Sequence, residues 1–255
     1  MDFSVELDQR SGLAQGDERL TVIFADGRRE HMRLHEYGRV YTVPGLYEEV
    51  VQRRLECASP AVLSRALVKH VVQCGDDPAA LRLLDIGAGN GVVGEELRKL
   101  GVDGAFVGMD KEGGAREAAE RDRPGLYVEY LIGDLAELSI ASMVEKYSLT
   151  GMVGAGVFGP GHVSAANLNA AWQQFRPGAW LAVTLPENVV NADGEELSDY
   201  VAALRAGEEN TEVTEFSRYR HRFRMSGDPI YYYLMVARRT RDAGRTVGAT
   251  SPPLA

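Results

Sequence analysis

From residue 81 to about residue 205 the sequence alternates short apolar runs with amphipathic stretches, and few folds accept such a pattern. "LRLLDIG", "AFVGMD", "LYVEYLIGD", "TGMVGAGVF" and "AWLAVTLPE" read as buried strands, each a short apolar run bounded by glycine or an acid. "VVGEELRKLG", "REAAERD", "IASMVEKY" and "VSAANLNAAWQQF" lie between them and read as helices, and "GEELSDYVAALRAG" follows the fifth strand. Strands separated by helices pair in parallel, with the helices covering both faces of the sheet. The end differs. "TEFSRYRHRFRMSGDPIYYYLMVARR" is two strand-like runs joined by Ser226-Gly227-Asp228-Pro229, which predicts a hairpin and an antiparallel finish. The expected fold class is therefore α/β, a doubly wound sheet of seven strands, mostly parallel.

The N-terminal third has another character. "RLTVIFADGRREHMRL" predicts a β-hairpin, with Asp26-Gly27 as two positive-φ residues of a tight turn. A tyrosine-rich segment leads into a helix from about Leu46. "SPAVLSRALVKHVVQCG" predicts another, with Ser59 as N-cap, Pro60 at its first position and Gly75 as its stop. Residues 1–78 read as a hairpin and helical cap or lid rather than an independent domain, 79–240 as the main domain, and 241–255 as a disordered tail.

The first strand of the main domain runs into "LLDIGAGNGVVGEEL". From Gly89 it reads G-N-G-V-V-G, a formal dinucleotide fingerprint; from Asp85 it reads D-I-G-A-G-N-G. A strand, a glycine turn and a helix aim backbone N–H groups at the sheet's carboxyl edge, where α/β sheets bind ligands. Acids then separate the two readings. Asp85 would repel a pyrophosphate but attract a ligand with an amino group and a sulfonium. Asp110, ending the second strand, can accept from both ribose hydroxyls and suits either ligand. Asp134, after Gly133 at the end of the third strand, can accept from an adenine amino group, which a dinucleotide fingerprint does not require.

These residues resemble the class I, Rossmann-like, S-adenosylmethionine (SAM)-dependent methyltransferases of small-molecule type, with "LLDIGAGNG" similar to their first motif, "GMD" to the acidic end of strand two and "IGD" to the acid of strand three. The resemblance covers roughly residues 80–240 and implies strand order 3-2-1-4-5-7-6 with strand seven antiparallel. It implies SAM as cofactor and S-adenosylhomocysteine (SAH) as product. By the same resemblance Gly87, Ala88 and Gly89 lie under the methionyl part, with Asp85 near its amino group, and Gly91 belongs to the same cofactor-binding loop. Asp110 holds the ribose, with Met109 or Lys111 beside the adenine. Gly133, Asp134 and Leu135 meet the adenine edge, and Gly156, Val157 and Phe158 lie beside the sulfonium. Gly94 is expected to let its helix pack closely on the strand.

The methyl acceptor is less legible. "VFGPGHVS" after strand four lacks [DNS]-P-P-[YF], a Pro-Cys nucleophile and a paired-glutamate loop. His162, in that loop, is the first candidate base, because imidazole titrates near neutral pH; Glu187 is a second. Tyr37, Tyr41 and Tyr47 are candidates for a lid over cofactor and acceptor, Tyr37 and Tyr41 being four apart. "RYRHRFRM" alternates strictly, which predicts Tyr219, His221, Phe223 and Met225 on one face and Arg218, Arg220, Arg222 and Arg224 in water on the other. No His, Asp or Glu spacing reads as a metal site.

Composition narrows the partners. A net charge of −9 disfavours sequence-independent binding to nucleic acid. The two cysteines, Cys57 and Cys74, suit reduced thiols better than a disulfide framework. No apolar run is long enough for a membrane span and the N-terminus carries no signal-peptide pattern, so a cytoplasmic location is expected. The expected activity is metal-independent transfer of a methyl group from SAM to an oxygen or nitrogen of a small molecule, and the N-terminal hairpin could pair between two subunits of a homodimer. The alternatives are an NAD(P)-dependent oxidoreductase, a non-catalytic SAM-binding protein, and a protein or tRNA methyltransferase.

Overall fold

The computed structural model describes residues 2–159 and 163–241. The expected disordered tail and His162 lie outside these residues, apart from Arg241.

The central sheet has seven strands, β4 (Leu83–Ile86), β5 (Phe106–Asp110), β6 (Glu129–Ile132), β7 (Gly151–Gly154), β8 (Trp180–Pro186), β9 (Thr211–Phe223) and β10 (Pro229–Arg239). Their order across the sheet is β6-β5-β4-β7-β8-β10-β9. Strands β4 to β8 pair in parallel, while β10 runs antiparallel to both β8 and β9. This is the 3-2-1-4-5-7-6 order, and it follows from the alternation: each parallel pair needs a crossover, whereas the final hairpin needs only a turn.

Helices cover both faces. α2 (Ser59–Gln73) and α3 (Val92–Lys99) pack on one, through Leu63, Leu67, Val71, Val93 and Leu97 against Leu83, Phe106 and Trp180. α5 (Ile140–Tyr147), α6 (Ala165–Trp172) and α7 (Glu196–Arg205) pack on the other, around Trp172, Met152 and Leu181. Strand β4 is buried along its whole length, as a strand covered on two sides must be. α4 (Gly113–Asp122) turns Ala115, Ala118 and Ala119 inward, and these small side chains leave room for Tyr41 and Tyr130.

The N-terminal cap is a three-stranded antiparallel sheet of β1 (Phe3–Leu7), β2 (Arg19–Phe24) and β3 (Arg29–Arg33), followed by the short α1 (Tyr37–Val40) and a π-helical segment, Glu48–Arg54. Strand β1 was not expected: Phe3 to Leu7 alternates apolar and polar residues, but over five positions only and ahead of a polar, glycine-bearing stretch. The β2–β3 turn departs from the expected one: only Gly27 adopts positive φ (+83°), and Asp26 instead accepts the Arg28 amide through Oδ1 at 2.9 Å. The cap encloses its own apolar cluster, Val5, Leu20, Val22, Met32, Val50 and Leu55 among them, and Met225 from beyond β9 completes it. Two backbone bonds dock its C-terminal part on β9: the Ala58 amide donates to the His221 carbonyl at 2.8 Å, and the Phe223 amide to the Leu55 carbonyl at 2.8 Å. No helix among the described residues is long and apolar enough to cross a membrane.

Candidate active site

At the carboxyl edge of the sheet the cap leans over the loop between β4 and α3 and encloses a cavity of about 560 Å³. Tyr37, Tyr41, Gly87, Ala88, Gly89, Asp110, Lys111, Gly133, Asp134, Leu135, Gly156 and Val157 all line it. The residues after the strands converge because strands of a parallel sheet end at one edge, and Tyr37 and Tyr41 reach the same cavity from the cap.

The glycines are needed there. Gly87 and Gly89 have φ of +62° and +54°, and their faces are occupied: a Cβ on Gly87 would fall on the Val157 side chain, and one on Gly89 on the Tyr41 hydroxyl. Gly91 does not line the cavity. It begins α3 with φ +92°, and a Cβ there would press on Leu126, Arg123 and Tyr127. Gly94 packs against Leu126 and Tyr127, not on its strand as expected, because the segment before β6 passes over α3 at that point.

Asp110 holds the loop. Its Oδ2 accepts the Gly89 amide at 3.0 Å and its Oδ1 the Glu112 amide at 3.0 Å. Burial nevertheless raises its carboxyl above the usual carboxylate range. Asp134 is fixed by an Asx turn, Oδ1 accepting the Ala136 amide at 2.9 Å. Asp85 lies deeper than expected and does not line the cavity. It is buried, Tyr127 donates its hydroxyl to Oδ2 at 2.7 Å, and Oδ1 is buried with no hydrogen-bond partner. Desolvation, with a smaller contribution from Asp110, pushes its pKa up to about 7.

The outer side of the glycine loop is clamped to the cap, which the sequence did not disclose. Asn90 donates to Glu48 of the π-helical segment, and Arg123 joins Glu48, Glu95 and the Asn90 carbonyl, each at 3.0 Å. Above the loop the rings of Tyr37 and Tyr41 stack with centroids 6.1 Å apart, and Tyr47 sits 5.3 Å from Tyr41.

The far end of the cavity belongs to β9, β10 and the start of α2. The Tyr232 and His221 rings stack with centroids 3.9 Å apart. His221 Nδ1 is 2.6 Å from Ser59 Oγ, which is in turn 2.5 Å from the Tyr219 hydroxyl. Ser59 is thus not the N-cap of α2; Ala58 is, and the Ser59 side chain turns to the strand instead. The arginine face of β9 is also not simply in water. Arg222 is buried in an ion pair with Glu18, Arg218 pairs with Glu187 and lies over Tyr231, and Arg220 pairs with Glu56 at 3.0 Å. The pairing holds the Glu187 carboxyl below its ordinary value, which makes it a poor base. Ser59, His221 and Tyr232 escaped the sequence reading because alternation along β9 shows which residues share a face but not what that face meets.

No protein-family model matches this chain, and no curated protein matches it. Solved structures do. A candidate RNA methyltransferase from Pyrococcus horikoshii aligns over 82% of this chain and 98% of its own, at TM-score 0.54 and 13% identity. A SAM-dependent methyltransferase from Anabaena variabilis aligns over 82% and 96%, at TM-score 0.50 and 13% identity. The fold is that of the class I SAM-dependent methyltransferases. Strand order, the antiparallel seventh strand and the glycine turn after the first strand of the main sheet all belong to this methyltransferase fold. Among the described residues no group of three or more His, Cys, Asp or Glu side chains could hold a metal ion.

Proposed function

We propose that the protein binds SAM in this cavity and transfers its methyl group to an oxygen or nitrogen of a small molecule, without a metal. One observation carries the reading: the Gly87–Gly89 turn, Asp110 and Asp134 end side by side on a single cavity roofed by tyrosines. Three further features fit the cofactor. The two turn glycines at positive φ let the loop backbone lie against Val157 and Tyr41 at the cavity wall, where a side chain would not fit. Asp110 spends one lone pair of each oxygen on a backbone amide and keeps others for a pair of ribose hydroxyls. The buried Oδ1 of Asp85 lacks a partner, which favours a cationic group nearby over a phosphate. When bound, SAM supplies an electrophilic methyl group on a sulfonium.

The chain's own residues then do ordinary work. Asp110 and Asp134 fix the nucleoside. Tyr41, on Gly89, excludes water and covers the reacting end, so alignment rather than acid–base strength supplies much of the rate. The net charge of −9 supports a small molecule over a nucleic acid.

Differential scanning fluorimetry with SAM, SAH, NADH and NADPH tests the reading. SAM and SAH raise Tm and the dinucleotides do not; stabilisation by NADH alone would overturn it. Binding of SAH with no methyl transfer to any component of a metabolite extract would leave a SAM-binding protein without catalysis, and transfer to tRNA or protein instead would move the acceptor to a macromolecule.

A further inference from the structure

We propose that His221 takes the hydrogen bond, and then the proton, of the methyl acceptor, and that this acceptor is a neutral aromatic compound bearing a phenolic hydroxyl. The inference rests on the reading of the same cavity as the methyl-donor site.

Position comes first. β9 runs parallel to β8, because each is antiparallel to β10, so the C-terminal end of β9 lies at the edge where the glycine turn lies. Tyr232 pairs with Pro186, the last residue of β8, and with Tyr219, so His221 stands just beyond that edge. A chain of hydrogen bonds runs back from it. Ser59 bonds His221 and Tyr219, Tyr219 bonds Thr184, and Thr184 accepts the Gly156 amide at 2.9 Å, at the end of β7 beside Val157. His221 is therefore tied through buried groups to the segment that faces the donor.

Orientation follows. Ser59 engages Nδ1 and Tyr232 covers one ring face, so two of the imidazole's degrees of freedom are gone. With the ring proton on Nδ1, donated to Ser59, Nε2 presents a lone pair to the cavity.

The surroundings select the acceptor. Among the described lining residues from the cap, β9 and β10, Arg222 alone carries a fixed charge, and Glu18 neutralises it. Leu34, Tyr37, Tyr47 and Val51 supply flat or apolar wall. Such a wall favours an uncharged aromatic ring, and a carboxylate or phosphate finds no unpaired cation there.

The proton balance is complete. The acceptor oxygen bonds to the methyl carbon as the carbon–sulfur bond breaks, and that bond's electron pair stays on sulfur. The hydroxyl proton passes to Nε2 and from there to water at the cavity mouth. An oxygen gaining a methyl while still bearing its proton is a very strong acid, so even a feeble base can take that proton. His221 is feeble: burial, with Arg222 and His35 adding, depresses its pKa to about 3. It stays neutral beside a sulfonium, where an imidazolium would repel. The other titratable groups facing it are Cys57, with Sγ 4.0 Å from Nδ1, and Tyr219 and Tyr232, all raised by burial and so neutral at physiological pH.

The test uses the full chain loaded with SAH and a panel of 4-methylphenol, 2-naphthol and benzoate. Calorimetry is expected to show binding of the two phenols and not of benzoate. Histidine 15N spectra are expected to show His221 as the Nδ1–H tautomer, with Nε2 shifting when a phenol binds. His221→Leu is expected to lose phenol binding while SAH affinity stays within about twofold, which also shows that the variant folds. His221→Asn keeps a hydrogen-bonding group but cannot carry a proton; it is expected to lower kcat by about 100-fold with a smaller change in KM. Unchanged phenol binding and turnover in His221→Leu would overturn the role of His221. Failure of SAH-loaded protein to bind either phenol would overturn the acceptor class and leave the donor site standing. Failure to bind SAH at all would remove both.

Discussion

Tyr127 donates its hydroxyl to a buried carboxylate, Oδ2 of Asp85, at 2.7 Å, and leaves the second oxygen of that carboxylate unpartnered. The pair lies directly beneath the loop that lines the cavity, since Asp85 and Gly87 are two residues apart. One hydrogen bond does not offset the cost of burying a charge, which is why Asp85 titrates near neutrality.

This makes stability depend on pH in a definite direction. The folded pKa of about 7 lies above the ordinary value of 3.8, so the native state binds more protons between those two values. The contribution of Asp85 is full below pH 4 and is lost as pH rises through 7, amounting to at most roughly 4 kcal/mol. Urea denaturation of the ligand-free protein from pH 4 to 8 should contain this component, and Asp85→Asn should lack it. Tyr127→Phe removes the bond to the charged form, so it should move the upper end of the change above 7.

Gly89→Ala should damage the cofactor site more than the fold. The new Cβ would meet the Tyr41 hydroxyl at a position with φ +54°. The expected outcome is a loss of about 1–2 kcal/mol in stability from the strained φ and a fall of at least tenfold in SAH affinity, measured by calorimetry. Tyr41→Phe in the same background relieves the contact and should recover part of the stability.

Asp110→Asn should weaken SAH binding by about 10–100-fold, since charged hydrogen bonds contribute roughly 1.5–3 kcal/mol each. Asp110 also accepts the Gly89 amide, so the variant loosens the glycine turn as well as the ribose contact. Adenosine binding should fall in parallel with SAH binding. A variant that loses SAH but keeps adenosine would place Asp110 away from the ribose.

The buried pair of Arg222 and Glu18 ties β9 to the cap. Removing one member strands the other, so Glu18→Gln or Arg222→Met alone should cost about 3–5 kcal/mol. The Met225 amide, which also donates to Glu18 at 2.8 Å, adds to the first. The double substitution should cost clearly less than the sum. Additive costs in urea denaturation would show that the two charges are not coupled.

Local pattern alone determined the seven main strands, their interleaved helices and the terminal hairpin, because strand and helix periods are properties of consecutive residues. It also picked out many of the residues that line the cavity at the glycine loop. Gly87, Asp110 and Asp134 each sit at a strand end, and a parallel sheet brings strand ends to one edge whatever lies elsewhere. The tertiary structure alone decided the rest. β1 forms only because β2 offers it an edge. Asp85 was expected near the ligand, but Tyr127, 42 residues away, reaches it first. Arg222 was expected in water, yet Glu18, 204 residues away, draws it inside. The acceptor end is the clearest case. Ser59 and His221 are 162 residues apart, and neither stretch of sequence carries a mark of the other. Their hydrogen bond exists because the cap docks on β9, a contact made by packing and not by any local period.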